Sequence, residues 1–303
     1  SSMIILAFAT VYIVWGSTFF FIQKALNDFP PFILGAIRFC TAGLLMMAYG
    51  LYSGEKMFAG KKLIVPLVTG FMLLFVGNGV VIWVEQTLPS AMVAIFISSA
   101  PIWFVIMDKP MWRQNLSNTA SIVGLVMGFC GVILLFYDKI FNSTETITSH
   151  ADTVAMCMLL MGSAIWAAGS LYSKYRSGGN TPTVNTTWQM LGAGVAFIPC
   201  TFLNHEWEHF AMDQVATSSL YAMAYLILFG SIIGFGAYVW LLKVQPITKV
   251  STYAYVNPLV AVFLGVVFAN ESVTTHQMIG LITILSSVVL INLHKYQQKS
   301  KPA

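Results

Sequence analysis

The chain is divided into ten apolar runs of about 20 residues, and that pattern leaves few folds open. The runs lie near residues 3–24, 32–52, 63–84, 90–107, 118–137, 153–172, 182–203, 219–242, 250–268 and 276–293. A helix needs about 20 apolar residues to cross a bilayer, so the runs predict ten spanning helices. A water-facing globule is excluded, because 9% of the residues are charged where a soluble domain carries roughly 25%. The mean hydropathy of +0.78 describes the whole chain, so the apolar excess is not a single anchor. The first run has neither a basic start nor a small-residue cleavage site and reads as a retained span.

Charge sets the expected topology. With the N-terminus in the cytoplasm, the inner segments hold Lys56, Lys61, Lys62, Lys109, Arg113, Lys174, Arg176, Lys243, Lys249, Lys295, Lys299 and Lys301, which is 12 of the 15 basic residues. Lys24 and Lys139 fall outside. Such asymmetry in short loops is the positive-inside signal, so both termini are expected in the cytoplasm of a multi-pass inner-membrane protein. The net charge of +4 follows from this topology and does not point to nucleic acid. Cys40, Cys130, Cys157 and Cys200 all fall within runs, at no metal-site spacing, and read as packing residues.

The two halves resemble each other. A shift of 151 residues lays Trp15 on Trp166 and Arg38-Phe-Cys-Thr-Ala-Gly43 on Gln189-Met-Leu-Gly-Ala-Gly194. A shift of 157 lays Pro89 on Pro246 and Pro101 on Pro258. An internal duplication with five runs per half forces the second copy to enter the membrane from the opposite side. The expected fold is therefore an all-α membrane protein of ten transmembrane helices in two inverted five-helix repeats, 1–137 and 138–303. Inverted repeats are the usual architecture of alternating-access carriers, with the substrate site near the midplane between the halves.

Three motifs carry a family resemblance. Phe229-Gly-Ser231, Ala237-Tyr-Val-Trp-Leu-Leu242 and Ser251-Thr-Tyr-Ala-Tyr-Val-Asn-Pro258 with Gly265 resemble the signature of the EamA-type branch of the drug/metabolite transporter superfamily. Trp15-Gly-Ser17, Arg38, and Trp166 followed by Gly169-Ser170 are similar to its other marks. Gly77-Asn-Gly79 with Glu85-Gln86 and Pro89-Ser90 is similar to a subgroup of inner-membrane permeases. The resemblance implies a ten-helix metabolite carrier, with exporters of amino acids, aromatic ones among them, in the same branch.

Candidate path-lining residues follow from helical spacing. Tyr12, Trp15 and Phe19 share a face of the first run, and Ser163, Trp166 and Ser170 share one of the sixth. Both tryptophans lie mid-run, away from the interfacial belts, and read either as cavity lining or as interhelical packing. Asn78, Ile82 and Glu85 share a face of the third run, and a shift of 153 lays them on Ser231, Phe235 and Tyr238. Polar groups there should face inward, as cavity residues or as interhelical hydrogen bonds. Arg38 is the one charge well inside a run; a structural or gating role is expected, with anion binding as the alternative, and Gln189 is its uncharged counterpart. Pro101 and Pro258 each remove a helical hydrogen bond and read as gating hinges or static bends. Tyr253 and Asn257 lie on one face of the ninth run as substrate-contact candidates. The expected substrate-binding set is thus Trp15, Asn78, Glu85, Trp166, Ser170, Gln189, Tyr238, Tyr253 and Asn257.

An enzyme is the rival class. His150, His205, His209, His276 and His294 lie in loops or at run ends, and no HExxH, GxSxG or phosphate-binding glycine loop occurs. The expectation is a carrier, not an enzyme, without cofactor or metal, whose partners are a small-molecule substrate and the lipid bilayer. It should be monomeric; Gly124, Gly128 and Gly131 make a dimer the weaker alternative. A largely apolar, aromatic cavity suits export of a hydrophobic or aromatic amino acid or related metabolite, with a cationic or amphipathic drug second. Glu85 is the only carboxylate near a cavity face, so facilitated transport or exchange is expected over proton antiport.

Overall fold

A computed structural model describes residues 2–88, 90–117, 119–141, 150–269 and 274–299. Those residues contain helices and no strand. The principal helices are α1 (Ser2–Leu26), α2 (Pro31–Tyr52), α3 (Gly60–Val84), α4 (Ser90–Ile97), α5 (Ala100–Met107), α6 (Thr119–Leu135), α7 (His150–Arg176), α8 (Pro182–Leu203), α9 (Thr217–Val244), α10 (Tyr253–Ala269) and α11 (Thr275–Lys299). Pro31 and Pro182 occupy first-turn positions, where a missing N–H costs nothing. Thr181 caps α8 by accepting from the Val184 N–H at 3.3 Å. Gly178, just past α7, adopts φ +56°, a left-handed conformation that favours glycine. Pro89 of the predicted proline pairs lies outside the described residues.

By length and apolarity, five of the described helices can cross a membrane. They are α1, α2, α3, residues Thr153–Arg176 of α7, and α9. A sixth is reached if Val93–Met107 and Lys109–Leu116, bent by 68°, are one span. The other predicted runs are helical too, but α6 and α10 have 17 residues each. α8 is too polar, carrying buried Asn185, Thr186, Thr187 and Gln189 in its first half. Part of that polarity is met inside the protein: Gln189 Nε2 donates to Thr69 Oγ1 at 2.9 Å and to Ser173 Oγ at 3.4 Å, while its Oε1 has no partner among the described residues. Apolar side chains such as Leu6, Phe20, Val195, Phe263 and Ile282 are exposed instead, as a lipid-facing surface requires.

Small residues decide which helices touch. A Cβ on Gly43 would lie 2.7 Å from Leu191, and one on Gly194 2.6 Å from the Cys40 nitrogen, so α2 and α8 pack backbone to backbone. The glycine face of α6 is spent within the chain. Cβ atoms at Gly124 and Gly131 would meet Ile291 and Ile284 of α11 at 2.7 and 2.8 Å, and one at Gly128 would meet the Tyr255 ring at 2.5 Å.

The fourth predicted run is divided at a turn over Ser98 and Ser99, so Pro101 sits in the first turn of α5 rather than inside a continuous helix. Pro258 does lie inside α10. Its missing N–H frees the carbonyl four residues back, Ala254 O. Asn257 does not fill that vacancy: Ser98 Oγ lies 3.0 Å from Ala254 O and 2.7 Å from Ala94 O. Its single proton serves a carbonyl of each helix. Ser98→Ala should therefore cost about 1–2 kcal/mol by leaving Ala254 O unpaired. Ser99→Ala, which loses only a bond to its own turn at Phe96 O, should cost less, as a melting comparison of the two purified variants will read.

Candidate functional site

The centre of the molecule is an aromatic cluster built from α1, α7, α9 and α10. Gly16 admits α10 to α1, since a Cβ there would lie 2.5 Å from Val260 and 3.0 Å from Asn257 O. This brings Tyr253 within 5.2 Å of Trp15, ring centre to ring centre, edge on at 84°. Trp15 meets Trp166 at 5.7 Å and 78°, also edge to face. Tyr238 stands 4.9 Å from Trp15 and 5.6 Å from Trp166. Each indole rests on a glycine of the opposite half: Trp15 on Gly234 and Trp166 on Gly77, where a Cβ would lie 2.8 and 2.9 Å away. Both glycines lie within π-helical stretches, Phe71–Asn78 and Leu226–Phe235, a rare geometry that is frequent at functional sites.

The polar edges of the cluster are satisfied by protein. Trp15 Nε1 donates to Gly230 O at 3.1 Å, and Trp166 Nε1 donates to the Tyr238 hydroxyl at 3.1 Å. Ser170 Oγ shares a 2.7 Å bond with that hydroxyl. With its amide turned to donate, Asn257 bonds Tyr253 O at 3.0 Å and Tyr12 O at 3.2 Å. The two indoles consequently offer faces, not donors, to a ligand.

Beside the cluster lies a cavity with about 710 Å³ of space, its open side included. Trp15, Asn78, Trp166, Tyr253, Asn257 and Arg38 line it. Phe19, Ile22, Val81, Ile97 and Leu159 extend its apolar wall. Phe19, Ile22 and Val81 lie toward the C-terminal ends of α1 and α3, Leu159 in the N-terminal half of α7, and Ile97 at the C-terminal end of α4. On the other side of the cluster, the Tyr12 hydroxyl and Thr252 Oγ1 meet at 2.5 Å. Further along, Tyr175 donates to Asp108 Oδ1 at 2.6 Å, and Lys243 Nζ donates to Asn180 O at 2.7 Å. The molecule is thus open on one side of the tryptophans and bonded shut on the other.

Arg38, 3% exposed, reaches the cavity from α2. Its Nε donates to Ser231 Oγ at 2.8 Å, and Nη1 lies 3.4 Å from Asn78 Oδ1. The positions aligned by the shift of 153 are therefore joined through one guanidinium. Ser170 and Tyr238 stand behind the tryptophans rather than on the cavity wall. Glu85, Gln189, Pro101 and Pro258 do not line it either. Glu85 is buried, and among the described residues neither of its oxygens has a hydrogen-bond partner. Gln189 turns to Thr69 and Ser173, so the repeat mate of Arg38 serves helix packing. Sequence reasoning missed Thr18, Gly77 and Gly162 of the lining and the Asp108–Tyr175 bond. Asp108 carried one available signal, as one of two carboxylates on the predicted inner side. Among the described residues no group of three metal-ligating side chains occurs.

The EamA-like transporter family matches residues 2–137 and 153–293. The chain belongs to this family. The EamA-like chain is 32% identical over 297 residues to the inner membrane transporter YedA of Escherichia coli (strain K12), covering 98% of this chain and 92% of YedA. It is 24% identical over 301 residues to Protein PecM of Dickeya dadantii (strain 3937), with 95% and 93% covered. It is 21% identical over 294 residues to the WAT1-related protein At3g02690, chloroplastic, of Arabidopsis thaliana, with 93% and 67% covered. A crystal structure of a protein 18% identical in sequence has the same fold, with a TM-score of 0.80 over 99% of this EamA-like chain and 100% of its own.

Proposed function

We propose that this EamA-like protein is an inner-membrane carrier that exports or exchanges a small organic solute by alternating access. Its cargo in this reading is a hydrophobic or aromatic amino acid or a related metabolite. The single observation that carries the reading is the cavity at the Trp15–Trp166 pair, open on one side of the rings and bonded shut at Tyr12–Thr252 on the other. Ten spans in two inverted halves, 1–137 and 138–303, account for the exchange of glycines between the tryptophans. They account equally for π-helical stretches at overlapping positions under the shift of 153. The 12-to-2 asymmetry of basic residues between the two sides supports cytoplasmic termini. The protein works as a monomer in this account and performs no catalysis.

Substrate is bounded by Trp15, Asn78, Trp166 and Tyr253, with Tyr238 and Ser170 holding the Trp166 ring. Stacking of an aromatic solute against one indole contributes roughly 0.5–1.5 kcal/mol beyond area burial. Trp15→Ala and Trp166→Ala should each weaken binding of L-tryptophan, used as a probe, by up to about tenfold. The lipid-facing variant Ile282→Ala should leave it unchanged. Calorimetric titration of the three detergent-purified variants decides: unaltered affinity in both tryptophan variants, with monodisperse protein, would return these rings to helix packing and remove the central site.

A further inference from the structure

We infer that Arg38 anchors the carboxylate of the transported solute, so that the cavity takes aromatic monocarboxylates and penalises aromatic amines; this rests on the central site proposed above. Among the described residues Arg38 is the only charged one lining the cavity, and no carboxylate lines it. Its two hydrogen-bond partners, Ser231 Oγ and Asn78 Oδ1, are neutral. A guanidinium has five N–H donors, and the remaining three meet no acceptor among the described residues. No ion pair involves it there either.

A buried guanidinium without a hydrogen-bonded anion is costly, and buried charges are paired as a rule. Glu85 is near enough to act on Arg38 through its charge, but among the described residues its oxygens make no hydrogen bond and it stands off the cavity wall, so it does not occupy the fork. The neutral partners hold the fork in place without cancelling its charge, and Phe39 backs it with its ring centre 4.9 Å from Cζ. What remains is a positive, preorganised fork at the edge of an aromatic cavity. A carboxylate matches that fork in shape and charge. An ammonium group finds no anion on the wall and feels the repulsion of Arg38; the faces of Trp15 and Trp166 are the one feature that would favour it. Charge decides between the two because the guanidinium is fixed and already desolvated.

The test uses four probes that share one ring: indole-3-acetate, tryptophan, tryptamine and indole, titrated into the purified full chain. Wild-type protein should bind indole-3-acetate about ten- to hundredfold more tightly than tryptamine. Tryptophan should show no advantage over indole-3-acetate. Arg38→Gln should erase the preference, and Arg38→Lys, which keeps the charge but not the fork, should retain part of it. Tryptamine or indole binding wild-type protein as tightly as indole-3-acetate would overturn the inference, whether or not the variants fold. So would a monodisperse Arg38→Gln protein with the preference intact. Trp166→Ala separates the two readings. If it weakens all four probes while their charge makes no difference, the central site stands and only the anion anchor fails. If no probe binds, or Trp15→Ala and Trp166→Ala alter none, both fail.

Discussion

Gly70→Val should abolish recovery of monodisperse protein, or lower its stability by at least about 3 kcal/mol. A Cβ on Gly70 would lie 2.3 Å from Gln189 O, 2.5 Å from its Cα and 2.7 Å from its C, all of them backbone atoms. No rotamer change relieves a clash of that kind, so α3 and α8 would have to separate. Separation also breaks the 2.9 Å bond from Gln189 Nε2 to Thr69 Oγ1, leaving polar groups unmatched in an apolar interior. Gly236→Ala is the control, because a Cβ there meets nothing within 4 Å. Alanine also favours helix over glycine by about 1 kcal/mol. Size-exclusion profiles and thermal melts should show the first variant collapsed and the second equal to or slightly above wild type. A Gly70→Val protein that melts like wild type would mean that the two helices are further apart than described.

Asp108→Ala should release the closed side of the molecule. Asp108 is 1% exposed, accepts from the Tyr175 hydroxyl at 2.6 Å and from Asn115 Nδ2 at 3.3 Å, and so ties the end of α5 to the last turn of α7. Hydrogen bonds to a charged group contribute about 1.5–3 kcal/mol, enough to move a two-state equilibrium by roughly ten- to hundredfold toward opening at this end. Tyr175→Phe removes one of the two bonds and should act in the same direction with a smaller shift. Spin labels at Lys109 and Arg176, both exposed, should report a longer-distance population that is minor in wild type and dominant in Asp108→Ala. An unchanged distance distribution would show that other bonds hold this end shut.

Helical character was legible wherever a run was long and uniformly apolar. α1, α2 and α9 begin and end within two residues of the predicted runs. It was less legible where a hydroxyl pair could interrupt an apolar run. Ser98 and Ser99 separate α4 from α5 because Ser98 turns its proton to another helix, a partner that no local pattern contains. The same limit governs the site. Spacing put Trp15 and Trp166 on comparable faces, and the rings meet. Spacing also put Glu85 on the face of Asn78, yet only Asn78 reaches the cavity, because Gly79–Val84 between them is α-helical and carries Glu85 about 10 Å further along that face, past the cavity. Arg38 and Gln189 occupy equivalent positions under the shift of 151 and have different surroundings, the cavity for one and Thr69 with Ser173 for the other. In the apolar wall Phe19 was marked by its spacing from Trp15, but Ile22, Val81, Ile97 and Leu159 had no distinguishing mark, since cavity-facing and lipid-facing residues have the same composition.

The π-helical stretches of α3 and α9 bear on how such a protein can move without unravelling. A π-turn is an α-helix carrying one residue too many, and that surplus can pass along the chain as a travelling defect that exchanges hydrogen bonds one at a time. Each step rotates the segment it has crossed by about 100°, the angle per residue of a helix with 3.6 residues per turn. Asn78 ends one stretch and Ser231 lies within the other, and both bond Arg38. A single step in either helix swings one of these groups off the guanidinium while the backbone remains hydrogen-bonded throughout. Rotation in place, rather than rupture, is the motion this geometry permits, with Gly77 and Gly234 beneath the two indoles inside the segments that would turn.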